Sequence, residues 1–342
     1  MFSVIVVCTL LIFRRKPFYS VIIFLLGLSP IILYGLISIS HNWLFVPNTI
    51  LVKSKLPELS LLYIPKTIFR FIKNVTEPHI LVLISSSVFL FLYSYIKKSL
   101  LWEKKQLFLL IFILTTIFHE TFAQNGWFFR YEAYLVAIGI TAFSLNISQY
   151  LPVDFSMSIF KEKFINKGIN RFVLGVFAAP LFMWSLTAFI VPLATNNIYD
   201  QHYQIGQFVK NCTHHINIAA NDIGIISFYS DNYVLDLWGL ADIEVGKAKI
   251  GKNYTTDKIS EITERRKIKL AILYEHWFDQ YGGLPKNWVK IGEWTITDYN
   301  IVCGTETVSF YATQKDSAQL FRKELEQYSL QLPKSVKYKI FE

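Results

Sequence analysis

Residues 172–194 read FVLGVFAAPLFMWSLTAFIVPLA, and residues 195–212 read TNNIYDQHYQIGQFVKNC. The first string carries no charge and meets the requirement of about 20 apolar residues for a membrane-spanning helix. Pro180 and Pro192 fit such a helix, because neighbouring helices in a bilayer satisfy the backbone groups a proline frees. From Asn196 onward the pattern becomes that of a water-soluble unit. The chain is therefore expected to divide into a transmembrane domain over 1–194 and an extracytoplasmic α/β domain over 195–342.

Composition agrees with that division. Of 342 residues, 53% are hydrophobic and only 17% charged, against about 25% charged in soluble proteins. A single soluble globule, a disordered chain and a disulfide-stapled mini-protein, which three cysteines would not support, are all excluded. Residues 1–194 hold 17 Lys and Arg against 7 Asp and Glu, whereas residues 195–342 hold 17 against 18. The excess positive charge thus lies in the apolar part. It reads as membrane topology, and nucleic acid is not an expected partner.

Working back along the chain, Phe18–Ile39 is a full span and Ile80–Ile96 and Tyr131–Ile147 are short ones. Gln106–Phe118 is expected to end early, inside a protein-lined cavity, and Phe2–Phe13 reads as a clipped first helix. Arg14, Arg15 and Lys16, then Lys97, Lys98, Lys104 and Lys105, then Lys161, Lys163, Lys167 and Arg171 fall in alternate loops. The positive-inside rule places those loops in the cytoplasm and residues 195–342 outside a multi-pass plasma (inner) membrane protein.

The outward loop from Ser40 to His79 contains an amphipathic helix. Ile64, Ile68, Phe71 and Val75 recur on one face, and Lys66, Arg70 and Lys73 on another. Such a helix lies in the interface, either anchoring the loop or gripping a lipid-linked phosphate. Lys53 and Lys55, after Pro47-Asn48-Thr49, would add donors to the same phosphate. A second polar segment, His119 to Glu132, joins two spans at the outer boundary. Ionisable groups there are functional candidates by default. Arg130 suits an oxyanion through its planar fork, or else it pairs with Glu120 or Glu132 to lock two helices.

In the soluble part, Ile216–Ala220, Val234–Leu237, Leu270–Tyr274, Val308–Ala312 and Trp288–Thr295 read as strands. Helical patterns cover Tyr199–Val209, Asp257–Arg266 and Asp316–Tyr328. Asp222, Asp231, Asp236 and Asp242 match no calcium-loop spacing, and turn or capping roles compete with metal binding for them. No cofactor is evident, although a divalent metal stays open. Cys212 and Cys303 are either a disulfide or two buried thiols. No phosphate-binding glycine loop, zinc spacing, nucleophile elbow or internal repeat is found.

Asn221-Asp222-Ile223-Gly224, Tyr229-Ser230-Asp231 and Val234-Leu235-Asp236-Leu237-Trp238-Gly239-Leu240 together resemble strings in the extracytoplasmic domain of bacterial GT-C fold glycosyltransferases. Val46-Pro47-Asn48-Thr49 with Lys53, and Gly126-Trp127-Phe128-Phe129-Arg130-Tyr131-Glu132, are similar to two further stretches in the same order. The resemblance implies a GT-C-like architecture and transfer of a sugar from a polyprenyl-phosphate carrier to an envelope glycan, lipid or protein acceptor. It makes Asn48, Tyr131, Glu132, Asp222, Gly224, Asp231, Asp236 and Gly239 motif positions.

Such enzymes carry an acidic base, usually Asp, in their first outward loop, and nothing here matches it. With the clipped first helix, that departure leads to the expectation of an N-terminally truncated enzyme, one that an N-terminal partner chain would complete. Lys53, Lys55 and Arg130 would then hold the lipid phosphate, and Glu120 is the remaining candidate for the base. The alternative is a non-catalytic membrane protein whose outward domain binds or presents envelope components.

Overall fold

The computed structural model describes residues 2–53, 64–96, 104–123, 125–126, 130–148 and 168–342. The chain divides into two compact units. One comprises Met1–Ile37 and Ser54–Ala188, the other Ser38–Lys53 and Phe189–Glu342. The division at 194/195 expected from sequence falls within a long helix, and residues 38–53 are counted with the C-terminal domain.

The first unit is helical. Its elements are α1 (Phe2–Phe13), the greater part of α2 (Pro17–Ser40), α4 (Ile64–Val75), α5 (Pro78–Ile96), α6 (Lys104–Phe122), α7 (Ala133–Ile147) and the first part of α8 (Gly168–Asn197); α3 (Asn48–Lys53) belongs to the other unit. Four helices, Pro17–Ser40, Pro78–Ile96, Lys104–Phe122 and Gly175–Cys212, are long and apolar enough to cross a membrane. Their surfaces argue the same way. α2 exposes Leu25, Leu26, Leu33, Leu36 and Ile37, and α8 exposes Leu181, Phe182 and Phe189. Apolar surface on that scale is not left facing water.

Helices α5, α6 and α7 meet around Leu83, Phe112, Leu135 and Phe143. Gly139 lets α7 approach α6 closely, since a Cβ there would lie 2.7 Å from the Phe112 ring. The helix expected to stop at Phe118 continues to Phe122. Polar groups at its end make that extension possible, because they find partners in the turn that follows.

The second unit is built on a six-stranded sheet of order β2-β1-β3-β5-β4-β6. The strands are β1 (Asn217–Ala220), β2 (Tyr233–Asp236), β3 (Leu270–Leu273), β4 (Val289–Ile296), β5 (Thr307–Ala312) and β6 (Val336–Ile340). β1 pairs in parallel with β2 and β3, and the remaining pairings are antiparallel. Successive β3 residues face opposite cores: Leu270 and Ile272 enter one, Ala271 and Leu273 the other. That alternation explains the unbroken apolar run, because the strand is covered on both faces.

α9 (Gln204–Cys212), α10 (Gly224–Tyr229) and α13 (Lys315–Ser329) contribute to the first core through Phe208, Ile226 and Leu325. α11 (Ile243–Ile250) and α12 (Thr256–Arg265) fill the second through Val245, Ala248, Ile259 and Ile262. A π-helical turn at Ile198–Tyr203 joins α8 to α9, and a 3₁₀ turn spans Glu275–Tyr281. Cys212 and Cys303 are both free thiols, so the disulfide left open by the sequence is not formed. Burial pushes the Cys303 thiol up to about 12.

Candidate functional site

Two polar clusters carry the residues singled out above, one in each unit. In the first unit, α6 ends on His119-Glu120-Thr121-Phe122, and the chain turns back toward α7. Glu120 is fully buried and Glu132 nearly so. Each uses one carboxylate oxygen to fold the turn: Glu120 Oε2 accepts from Asn125 Nδ2, and Glu132 Oε1 accepts from Gly126 N at 2.6 Å. Gly126 sits at φ +98°, a conformation that side chains resist. Glu120 Oε1 and Glu132 Oε2 have no hydrogen-bond partner among the described residues. Beside them, Tyr134 Oη and His119 Nδ1 lie 2.8 Å apart.

α4 closes this cluster. Asn74 Nδ2 donates to the Glu120 carbonyl at 2.9 Å, and the Arg70 guanidinium donates to the Thr121 carbonyl. The last carbonyls of a helix lack intrahelical partners and carry partial negative charge, so a cation there is stabilising. Arg70, expected at lipid-phosphate depth, is thus spent on the end of α6, while Lys66 and Lys73 remain exposed. Arg130 is exposed and pairs with neither Glu120 nor Glu132 among the described residues. Its guanidinium lies 5.9 Å from the Tyr131 ring centroid. The helix-locking ion pair considered from sequence is therefore not made.

In the second unit, two motif segments far apart in sequence meet. Asn48, at the start of α3, is buried, and its Nδ2 donates to the carbonyls of Gly239 (3.3 Å) and Asp242 (3.1 Å). Those carbonyls belong to the loop between β2 and α11, which Asp236 organises. Asp236 is buried, with Oδ1 accepting from Trp238 N and Oδ2 from Ala241 N, each at 2.7 Å. Gly239 takes φ +78°, and a Cβ there would lie 2.8 Å from Gly246 N. A Cβ on Gly246 would in turn lie 2.7 Å from Asn48 Nδ2. Two glycines thus let α3 and α11 close on each other.

Asp242 caps α11. Its Oδ1 accepts from Glu244 N and Val245 N at 3.0 Å, and its Oδ2 lies 2.6 Å from Arg266 Nη1. Burial raises the Glu244 carboxyl, but hydrogen bonds from Arg266 and Arg265 outweigh that and hold it below its ordinary value. Asp236 and Asp242 therefore serve the loop and the cap, as the turn reading had it. Asp222 is exposed, 3.9 Å from His202 Nε2. Asp231 is exposed as well. Gly224 opens α10 with ordinary backbone angles and open space around it, so the fold does not require a glycine there.

One feature of this unit was missed from sequence. Lys249, on α11, points its Nζ into a box of aromatic rings, 3.5 Å from the Trp238 centroid, 4.8 Å from Tyr281 and 5.0 Å from Tyr254. That Nζ is buried and makes no hydrogen bond among the described residues. Burial pushes its pKa down to about 7, with Asp236 opposing. The aromatic residues come from separate segments, and no spacing on one helix could have announced the box.

Of the four residues expected to hold phosphate or act as base, Lys53 ends α3 in the second unit, and Glu120 and Arg130 belong to the first. Lys55 lies outside the described residues, as do Trp127 to Phe129. Among the described residues no three His, Cys, Asp or Glu side chains gather into a group able to hold a metal ion.

Residues 196–311 match the model of a domain of unknown function, DUF8728. The matched region runs from the end of α8 through β5 and contains the Asp236–Asp242 loop, the cap and the Lys249 box. No curated protein and no solved structure matches the chain.

Proposed function

We propose that this protein is a multi-pass inner-membrane glycosyltransferase of GT-C type, with its α/β domain outside the membrane, that takes a sugar from a polyprenyl-phosphate carrier. The observation that carries this reading is the Asn48 clasp. Two of the three stretches that resemble such enzymes, about 190 residues apart, are joined through one buried amide. The clasp also supports the orientation, since residues following α2 and residues following α8 form one compact unit.

In the proposed reaction an acceptor hydroxyl attacks the anomeric carbon of the donor. The new glycosidic bond forms as the bond to phosphate oxygen breaks, and polyprenyl phosphate leaves. Glu120, buried and with one carboxylate oxygen unengaged among the described residues, takes the hydroxyl proton. Arg130, paired with no acid among the described residues, stabilises the charge on the departing phosphate. The acceptor is an envelope glycan, lipid or protein.

One observation favours the non-catalytic reading. Glu120 and Glu132 each already hold a backbone or amide N–H of the 125–126 turn, a structural task that explains their burial. The two readings separate in one assay. The full chain, reconstituted in vesicles containing a polyprenyl-phosphate-linked sugar, is followed for release of free polyprenyl phosphate. The transferase reading requires turnover above the protein-free rate, and no release with any donor supports the binding role.

A further inference from the structure

Beside the Asn48 clasp, the second unit carries an open cleft of about 740 Å³ lined by Trp43 and one side of α11 from Ile243 to Ala248. That volume lies in the range of pockets that take small organic ligands. Trp43 is 49% exposed, and His41 stacks against it with ring centroids 5.2 Å apart. The segment bearing it is fixed, because Lys247 Nζ donates to the Asn42 carbonyl at 3.2 Å.

The rest of the lining is polar and pre-set. Arg266 holds Asp242 through Nη1 at 2.6 Å and Glu244 through Nη2 at 2.8 Å, and Asn253 lies on the same cleft. These carboxylates and the guanidinium largely neutralise one another. Lys247 and Lys258 line the cleft too, but Lys258 is paired with Glu261 and Lys247 is directed to the Asn42 carbonyl. One lysine is thus left without an acid among the described residues, less than a phosphate or polyanion site gathers. An apolar occupant would strip water from fixed polar groups and return no hydrogen bonds.

A pyranose ring satisfies both surfaces. Its weakly positive C–H face suits the negative face of an indole. Its hydroxyls donate to carboxylates and accept from guanidinium or amide N–H.

We propose that this cleft binds a saccharide of one to a few pyranose rings, stacked on Trp43, with hydroxyls on Asp242, Glu244 and Asn253. The ligand class rests on the sugar-handling function proposed above, but binding is read without turnover. Loss of turnover with binding intact overturns the transferase reading alone, and loss of binding with turnover intact overturns the cleft alone.

The test uses the full chain in lipid nanodiscs, with chitotriose, cellotriose and maltotriose titrated under saturation-transfer NMR. At least one trisaccharide is expected to give saturable transfer in the millimolar range. Trp43→Ala weakens it about tenfold, equivalent to about 1.4 kcal/mol, while Trp43→Phe retains most of it. If Trp43→Ala does not fold, Asn253→Ala carries the test, with weakening expected there too. No saturable transfer from any of the three, or unchanged affinity in Trp43→Ala, overturns the proposal. So does a component of tryptophan quenching by brominated acyl chains that Trp43→Phe removes from the eight-tryptophan signal and that saccharide fails to relieve, which makes Trp43 an interfacial anchor.

Discussion

Asn48 shows how much one amide can carry. It donates to two backbone carbonyls at the close approach of α3 and α11. Asn48→Ala strands the Gly239 carbonyl, at a cost of about 1 kcal/mol or more, while the Asp242 carbonyl keeps the Gly246 N–H at 3.0 Å. Asn48→Asp is worse, since a carboxylate has no hydrogen to give and faces two carbonyl oxygens. Urea unfolding of the full chain in detergent is expected to show loss of stability in the order Asp, then Ala, then wild type.

Lys249 makes a second residue-scale prediction. Its folded pKa lies near 7, against about 10.4 unfolded. Between those values the unfolded chain binds more protons than the folded one, so stability rises with pH. The cost of burying the charge is fully present below pH 7 and disappears as pH climbs. Unfolding free energy is expected to increase by about 2 kcal/mol from pH 7 to pH 9. In Lys249→Met, which fills the box without a charge, the slope due to this group vanishes and the protein is more stable at pH 6.

At the scale of elements, α4 depends on polar contacts, because none of its residues is fully buried. Arg70→Ala removes the guanidinium from the end of α6 and keeps the Asn74 hydrogen bond to Glu120. Backbone amides of α4 should then exchange hydrogen at least several-fold faster, while those of α5 and α7 keep their protection. Unchanged exchange in α4 would mean that its apolar side chains hold it.

The sequence announced α4 through its period, and the spans and β3 through their apolar runs. It did not announce β6, whose Val336-Lys337-Tyr338-Lys339-Ile340 places lysines on an edge strand. Such lysines block further pairing but read as surface loop. α10 and α11 were also missed, α10 being a short six-residue turn of helix and α11 being interrupted by Gly246. In the candidate sites, Asn48, Asp236 and Gly239 were visible as motif positions. That Asn48 reaches Gly239 was not, since nothing local records a contact between residues so distant in sequence. Arg70 misled for a related reason: its helical face was legible, and the carbonyls waiting opposite it were not.

At the scale of the molecule, the proposed topology has the ends of α2 and α8 and the whole sheet domain outside the membrane, with the Arg14–Lys16 loop inside. Gln319 on α13 and Lys16 are both exposed. In a background with Cys212 replaced by Ser, Gln319→Cys should react with a membrane-impermeant maleimide in intact cells. Lys16→Cys should react only after permeabilisation. The reverse pattern would place the polar clefts on the wrong side for any envelope substrate.

The central claim is that Glu120 removes a proton during sugar transfer from a lipid phosphate. Glu120→Gln keeps the side chain's shape and its hydrogen-bonding oxygen but abolishes the base. The decisive measurement is the rate of polyprenyl-phosphate release by wild type and Glu120→Gln in the same donor-loaded vesicles. Release by the wild type is expected, with a loss of about 10²-fold or more in the variant. Equal rates in the two proteins, or none in either, would contradict it.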